Sequence, residues 1–176
     1  MNDILVADCG STKCAWALLR ADGSERRFAS AGMNPALLDL PALESALAEG
    51  LGWLDLPGRV GEVFFYGAGC AGDGAGRMLA ALEAALPGAS VEVRSDLVGA
   101  ARALFGDRPG IACILGTGSN SGYYDGKDIV RNVRPMGFIL GDEGSGASIG
   151  RILLNQYFKG WLGEATRRDF EREYPS

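Results

Sequence analysis

Short apolar blocks, separated by glycine-rich or charged stretches, set the rhythm of this chain. Residues 3–9 (DILVADC) and 14–20 (CAWALLR) are two strand-forming runs joined through Gly-Ser-Thr-Lys, which predicts a hairpin. Asp22-Gly23 is a favoured tight-turn pair and predicts a third strand over 25–31. Leu37, Leu38, Leu40, Leu43, Leu47 and Leu51 then recur at helical spacing, so an amphipathic helix is expected over roughly 40–50. A strand at 62–66 (EVFFY), a helix over 74–86 closed by Pro87-Gly88, a strand at 90–94 (SVEVR) and a helix over 97–105 follow. The order to this point is βββαβαβα.

The next apolar run, 111–115 (IACIL), opens a passage that echoes the start of the protein. Asp8-Cys9-Gly10-Ser11-Thr12 aligns with Gly116-Thr117-Gly118-Ser119-Asn120, placing the two Gly-Ser pairs in register, each between two strands. A duplicated architecture is therefore expected: hairpin strands near 111–117 and 119–125, a third near 128–133, then helices over about 145–159 and 164–173. No second βαβα section follows. The expected division is a first lobe over 1–107 and the first part of a second, incomplete lobe over 108–176.

With 47% hydrophobic and 22% charged residues, a buried core is expected and wholesale disorder is not. The net charge is −5 and the basic residues are scattered, so no footprint for a nucleic-acid backbone exists. No apolar run approaches the roughly 18–20 residues that span a bilayer, so no membrane partner is expected and the cytoplasm is the expected location. Cys9, Cys14, Cys70 and Cys113 form no CxxC pair and there is no histidine, which predicts reduced thiols mostly buried in or beside strands. Trp16, Trp53 and Trp161 read as packing residues.

Candidate chemistry lies in the glycine turns. A strand, glycine turn, strand unit points several backbone N–H groups into one concavity, and two facing units can hold a polyphosphate between them. In the first, Gly10 and Ser11 supply the turn, Thr12 and Lys13 offer a hydroxyl and a cation to phosphate oxygens, and Asp8 at the strand end can position magnesium. Thr117 and Gly118 form the second. Either turn alone reads equally well as a plain hairpin. Gly67-Ala68-Gly69-Cys70-Ala71-Gly72 also satisfies the dinucleotide pattern GxGxxG, with Glu92 or Asp96 at about the expected distance. Against that, three strands and a helix precede it, whereas a dinucleotide-binding domain normally starts with this unit.

The segments DCGSTK, GMNP, FFYGAGC, SDLVGAARAL, ILGTGSNS and GDEGSGASIG resemble the N-acetylglucosamine kinase and BadF/BadG-type ATPase family, and the similarity runs along nearly the whole chain. The combination of GTGSN with a downstream GDEGSG is the more specific part; DxGSTK is shared widely among actin-like ATPases. The resemblance implies an α/β, ribonuclease-H-like, actin-type ATPase fold of two lobes closing on ATP and a sugar. It implies phosphorylation of an amino sugar, N-acetylglucosamine at its 6-hydroxyl, with ATP and magnesium.

By the same resemblance Asp8, Thr12, Lys13 and Thr117 match positions serving metal and phosphates. Asn34, Ser119, Asn120 and Asp142 match those contacting the amino sugar, with Ser145 a further candidate, and Asp96 matches the catalytic base. Read from the residues alone, Asp96 is equally a helix N-cap, Asn34 before Pro35 a turn residue, and Asp142 and Glu143 acids favoured at a helix start. The family continues through a fuller second lobe that holds the adenosine, and nothing here supplies that segment. Two further readings follow: a sugar- or phosphate-binding remnant without turnover, and the ATPase that activates 2-hydroxyacyl-CoA dehydratases, with an iron–sulfur cluster between subunits. Unpartnered second-lobe strands would favour a homodimer or a companion chain.

Overall fold

The structure is a computed structural model describing residues 2–52, 54, 56, 58–133 and 135–175, so Trp53 lies outside the described residues. Strands β1 (Asp3–Cys9), β2 (Lys13–Leu19) and β3 (Glu25–Ala31) form an antiparallel meander. Helix α1 (Leu40–Leu51) follows, then β4 (Val60–Gly67), α2 (Asp73–Ala85), β5 (Ser90–Ser95) and α3 (Asp96–Phe105). β4 and β5 add in parallel to the other side of β1, giving a mixed five-stranded sheet of order β3-β2-β1-β4-β5.

Alternation decides what each strand face touches. Leu5, Ala7 and Cys9 point one way, into a core with Trp16, Val63, Phe65 and the helices α1 and α2. Leu43, Leu47 and Leu51 bring the buried stripe of α1 to that core, and its start is fixed by Asp39, whose carboxylate accepts from Ala42 N at 3.0 Å. Val6 and Asp8 point to the opposite face, where α3 lies.

The second sheet repeats the opening meander. β6 (Gly110–Leu115), β7 (Ser119–Tyr124) and β8 (Ile129–Val133) are antiparallel in the order β6-β7-β8. Its inner face packs on α3 through Leu97, Ala101, Ala112 and Tyr124, which places α3 between the two sheets. Then come α4 (Gly137–Leu140), α5 (Gly146–Phe158) and α6 (Glu164–Glu173). The single turn α4 has no counterpart in the sequence pattern. Trp161, expected to pack, is exposed, and the Lys159 ammonium lies 4.6 Å from its ring centroid. No helix among the described residues is long and apolar enough to cross a membrane.

Candidate active site

The first glycine turn closes as Gly10 N donates to the Lys13 carbonyl at 2.9 Å, leaving Ser11 and Thr12 exposed at the tip. Gly32, just past β3, braces it from behind. Its N–H donates to the Thr12 carbonyl at 3.1 Å, and a Cβ there would lie 2.4 Å from the Ser11 carbonyl carbon. Asn34 ties the same turn sideways: Nδ2 donates to Ser11 Oγ at 2.8 Å while Oδ1 accepts from Ala36 N at 2.9 Å. The turn role and a contact with the glycine loop thus coexist in one side chain.

The GxGxxG segment serves this assembly. Gly69 has φ of 76°, and a Cβ on it would come within 2.0 Å of Asn34 Oδ1. Gly72 has φ of 50° and caps α2. Gly69 lets the β4–α2 turn approach Asn34.

Beside the first turn, Asp8, Gly10, Lys13, Tyr66, Asp96 and Arg102 line a cleft of about 730 Å³ between the inner face of the large sheet and α3. Sequence position alone left Asp96 as a possible cap, but the cap is Ser95, whose Oγ accepts from Val98 N, and Asp96 is the first helical residue. One Asp96 oxygen accepts from Leu97 N at 2.8 Å. Burial raises the Asp96 carboxyl above the usual carboxylate range; the Leu97 N–H opposes this and the charge of Asp8 adds to it. A carboxylate made more basic in this way is suited to taking a proton from a hydroxyl.

The raised value has a stability consequence. The folded state holds the Asp96 proton more tightly than the unfolded chain, so Asp96 favours folding at acid pH and opposes it once ionised. Asp96→Asn is therefore expected to raise Tm at neutral pH, by about 2–4 °C for each kcal/mol relieved. The gain should vanish below the unfolded carboxyl pKa, and melting curves from pH 3 to 8 check it.

The second turn is built differently. Gly116 N donates to the Gly118 carbonyl at 2.9 Å, and α5 is tied to the turn where Gly146 N donates to the Gly116 carbonyl at 2.8 Å. Asp142 has φ of 60°, a left-handed conformation that Asp tolerates better than most side chains. That bend aims its carboxylate at the turn, where Oδ1 accepts from Ser119 N at 3.2 Å, and a Cβ on Gly118 would meet Oδ1 at 3.0 Å. Ser145 is buried and its Oγ accepts from Ser148 N at 3.1 Å, capping α5. Asn120 Oδ1 accepts from Asn132 Nδ2 at 2.9 Å.

Asp8, Gly10, Lys13 and Asp96 thus share one cleft. Ser119, Asn120, Asp142 and Glu143 line an adjoining one of about 420 Å³, and Ile114 borders both. Ser11, Thr12, Thr117 and Gly118 belong to the turns themselves, and Thr117 is exposed.

Several residues of the cleft carried no individual signal in the sequence. Tyr66 lies across α3 where Gly99 leaves room: a Cβ at Gly99 would be 2.7 Å from the ring. Its hydroxyl accepts from Arg102 at 3.0 Å, and the same guanidinium nitrogen donates to Glu92 at 2.9 Å. Arg94 joins Glu92, at 3.0 Å, to Asp128 at 3.1 Å in the β7–β8 turn, so a polar chain links the two sheets. Burial works against ionisation of Glu92, but its hydrogen bonds to Arg102 and Arg94 hold it below the usual range. The spacing of Gly99 and Arg102 on one face of a helix was the available clue.

Cys9, Cys14 and Cys70 are buried and Cys113 is exposed. Burial pushes the Cys70 thiol up to about 12. Among the described residues, no group of three or more Cys, Asp and Glu side chains is placed to hold a metal alone. Magnesium commonly takes only one or two carboxylates and completes its shell with water and phosphate oxygens, and Asp8 at the mouth of a cleft that also holds Lys13 fits that demand.

No protein-family model and no curated protein matches the sequence. Among solved structures, a proposed N-acetylglucosamine kinase from Porphyromonas gingivalis is 44% identical with a TM-score of 0.85, the match covering 97% of this chain and 62% of that one. A second proposed N-acetylglucosamine kinase, from Chromobacterium violaceum, is 20% identical with a TM-score of 0.72, covering 99% of this chain and 65% of that one. A non-polymerising MamK variant bound to AMPPNP is 12% identical with a TM-score of 0.55, covering 75% and 53%. The chain therefore spans less than two thirds of each of these proteins. Its fold is the mixed α/β fold of the actin-like ATPases, with one complete five-stranded sheet and a smaller three-stranded one.

Proposed function

We propose that this chain belongs to the N-acetylglucosamine kinases and carries the phosphate and acceptor sites of an ATP-dependent enzyme that phosphorylates the 6-hydroxyl of N-acetylglucosamine. The observation that carries this reading is the meeting of Asp8, Lys13 and Asp96, from two strands and a helix, in one cleft beside a braced glycine turn. The 44% identity to the Porphyromonas gingivalis protein supports the choice of sugar.

In this reading the lobes 1–107 and 108–176 offer their turns to one triphosphate, with Ser11, Thr12, Lys13, Thr117 and the N–H groups beside Gly10 and Gly118 toward its oxygens. Asp8 would hold magnesium, which when bound neutralises charge on the phosphates. Asp96 orients the acceptor hydroxyl and accepts its proton as the phosphoryl group leaves the nucleotide. Asn34, Ser119, Asn120 and Asp142 contact the amino sugar. Lys13 supplies a cation where an acidic chain needs one.

A coupled phosphotransfer assay across hexoses and N-acetylhexosamines tests this. Transfer is expected with N-acetylglucosamine and at least about tenfold less with glucose, since a site that pairs an acetamido group rejects an analogue lacking it. Equal use of both would overturn the assignment of the sugar. The second reading is a sugar- or phosphate-binding remnant without turnover. Calorimetric sugar binding with no phosphate transfer would select it.

A further inference from the structure

Asn34 sits on a stretch of backbone that is held on several sides. Met33 and Pro35, its neighbours in sequence, are both buried, and the Pro35 carbonyl accepts from the Arg77 guanidinium of α2. The Asn34 carbonyl accepts from Leu37 N at 2.9 Å and from Leu38 N at 3.0 Å. Gly69 leaves the space that the Asn34 side-chain oxygen occupies. A side chain fixed this firmly can orient a neighbour, and the neighbour it reaches is Ser11 in the first glycine turn.

The direction of that hydrogen bond decides what Ser11 can do. Asn34 Oδ1 accepts from Ala36 N at 2.9 Å, so the amide has one orientation; the flipped amide would set Nδ2 against the Ala36 N–H, donor facing donor. Nδ2 therefore faces Ser11 and donates to its Oγ at 2.8 Å. A hydroxyl that accepts from an N–H turns its own proton away from that donor, and the acceptance polarises the O–H toward donation. Ser11 stands exposed at the tip of the turn, so the proton is presented to a ligand that docks there. The matching ligand offers charged acceptors, which is the chemistry of phosphate oxygens.

We infer that Asn34 is a positioning residue for the phosphate site: its amide sets the Ser11 hydroxyl as a donor to a phosphoryl oxygen of the nucleotide, a role separate from any contact of Asn34 with the sugar. The inference rests on the reading of the first glycine turn as a phosphate site. Asn34→Asp reverses the arrangement. One carboxylate oxygen still accepts from Ala36 N, but the other accepts the Ser11 proton, which is then lost to the phosphate.

The test is calorimetric titration of the 176-residue chain with magnesium AMPPNP in the absence of sugar, so that sugar contacts do not enter. Ser11→Ala is expected to weaken binding about tenfold, the scale of a hydrogen bond to a charged group. At neutral pH Asn34→Asp is expected to weaken it about tenfold or more, but by no more than about threefold when Ser11 is already alanine, because the hydroxyl it misdirects is gone. The deficit of Asn34→Asp is also expected to narrow as the pH falls from about 6 to about 4, since a protonated carboxyl regains an O–H that donates to Ser11 Oγ. Equal losses from Asn34→Asp in both backgrounds would overturn the inference and leave the phosphate site standing, because the added charge alone would then account for them. Ser11→Ala within about twofold of the unaltered chain would overturn it as well, and that measurement stands even where Asn34→Asp folds poorly. An unaltered chain that takes up no magnesium AMPPNP would instead overturn the proposed function, and the inference with it.

Discussion

Asp96→Asn is expected to lower phosphate transfer to the sugar by about a hundredfold or more, while nucleotide affinity stays within about twofold. The substitution keeps side-chain size and leaves an oxygen to accept from Leu97 N, so the start of α3 retains its geometry. It removes the one property the mechanism demands, a basic carboxylate whose proton affinity burial has already raised. The loss should therefore fall on kcat, with the sugar KM little changed, because proton acceptance belongs to the transition state. Steady-state kinetics paired with calorimetry of a non-hydrolysable nucleotide separates the effects. Turnover equal to the unaltered chain would remove Asp96 from its role. The same variant is expected to be the more stable protein at neutral pH, the trade expected where a site holds an ionised group against its surroundings.

Much of this arrangement was legible because it is local. The three opening strands, the helices α1, α2, α3, α5 and α6, and the repeated meander follow from alternation, helical spacing and turn chemistry, each decided within a few residues. The first glycine turn was visible for the same reason. What escaped was decided by tertiary contact. Ser95 and Asp96 are adjacent acceptors, and only the helix trajectory tells which one caps. Trp161 reads as a core residue until its place on the exposed connection between α5 and α6 is seen. Tyr66, Gly99 and Arg102 come from two elements, and their meeting over the cleft is set by how α3 crosses the sheet. Asp142 was recognised by its motif, but the left-handed backbone that brings its carboxylate to Ser119 N was not.

Gly32 is the clearest case of a residue whose importance lies in space it leaves empty, and Gly32→Ala is expected to weaken nucleotide binding by about tenfold to a hundredfold. A Cβ there would lie 2.5 Å from both the Gly10 carbonyl oxygen and Thr12 N, and 2.4 Å from the Ser11 carbonyl carbon. All three are backbone atoms, so no side chain can rotate away and the turn itself must move. Overpacking of this kind costs about 1–3 kcal/mol, and each 1.4 kcal/mol of it that falls on the bound state is about tenfold in affinity. Displacing the turn also disturbs the Asn34 to Ser11 hydrogen bond that fixes its other side. Gly76→Ala is the control: it lies in α2 with nothing within 4 Å of the new methyl group, so it should leave binding unchanged and raise stability slightly. Titration calorimetry on both variants, with melting curves to confirm folding, decides the matter. Nucleotide affinity in Gly32→Ala equal to that of the control would mean that the Gly10 to Lys13 turn does not hold phosphate, and the proposed function would lose its central contact.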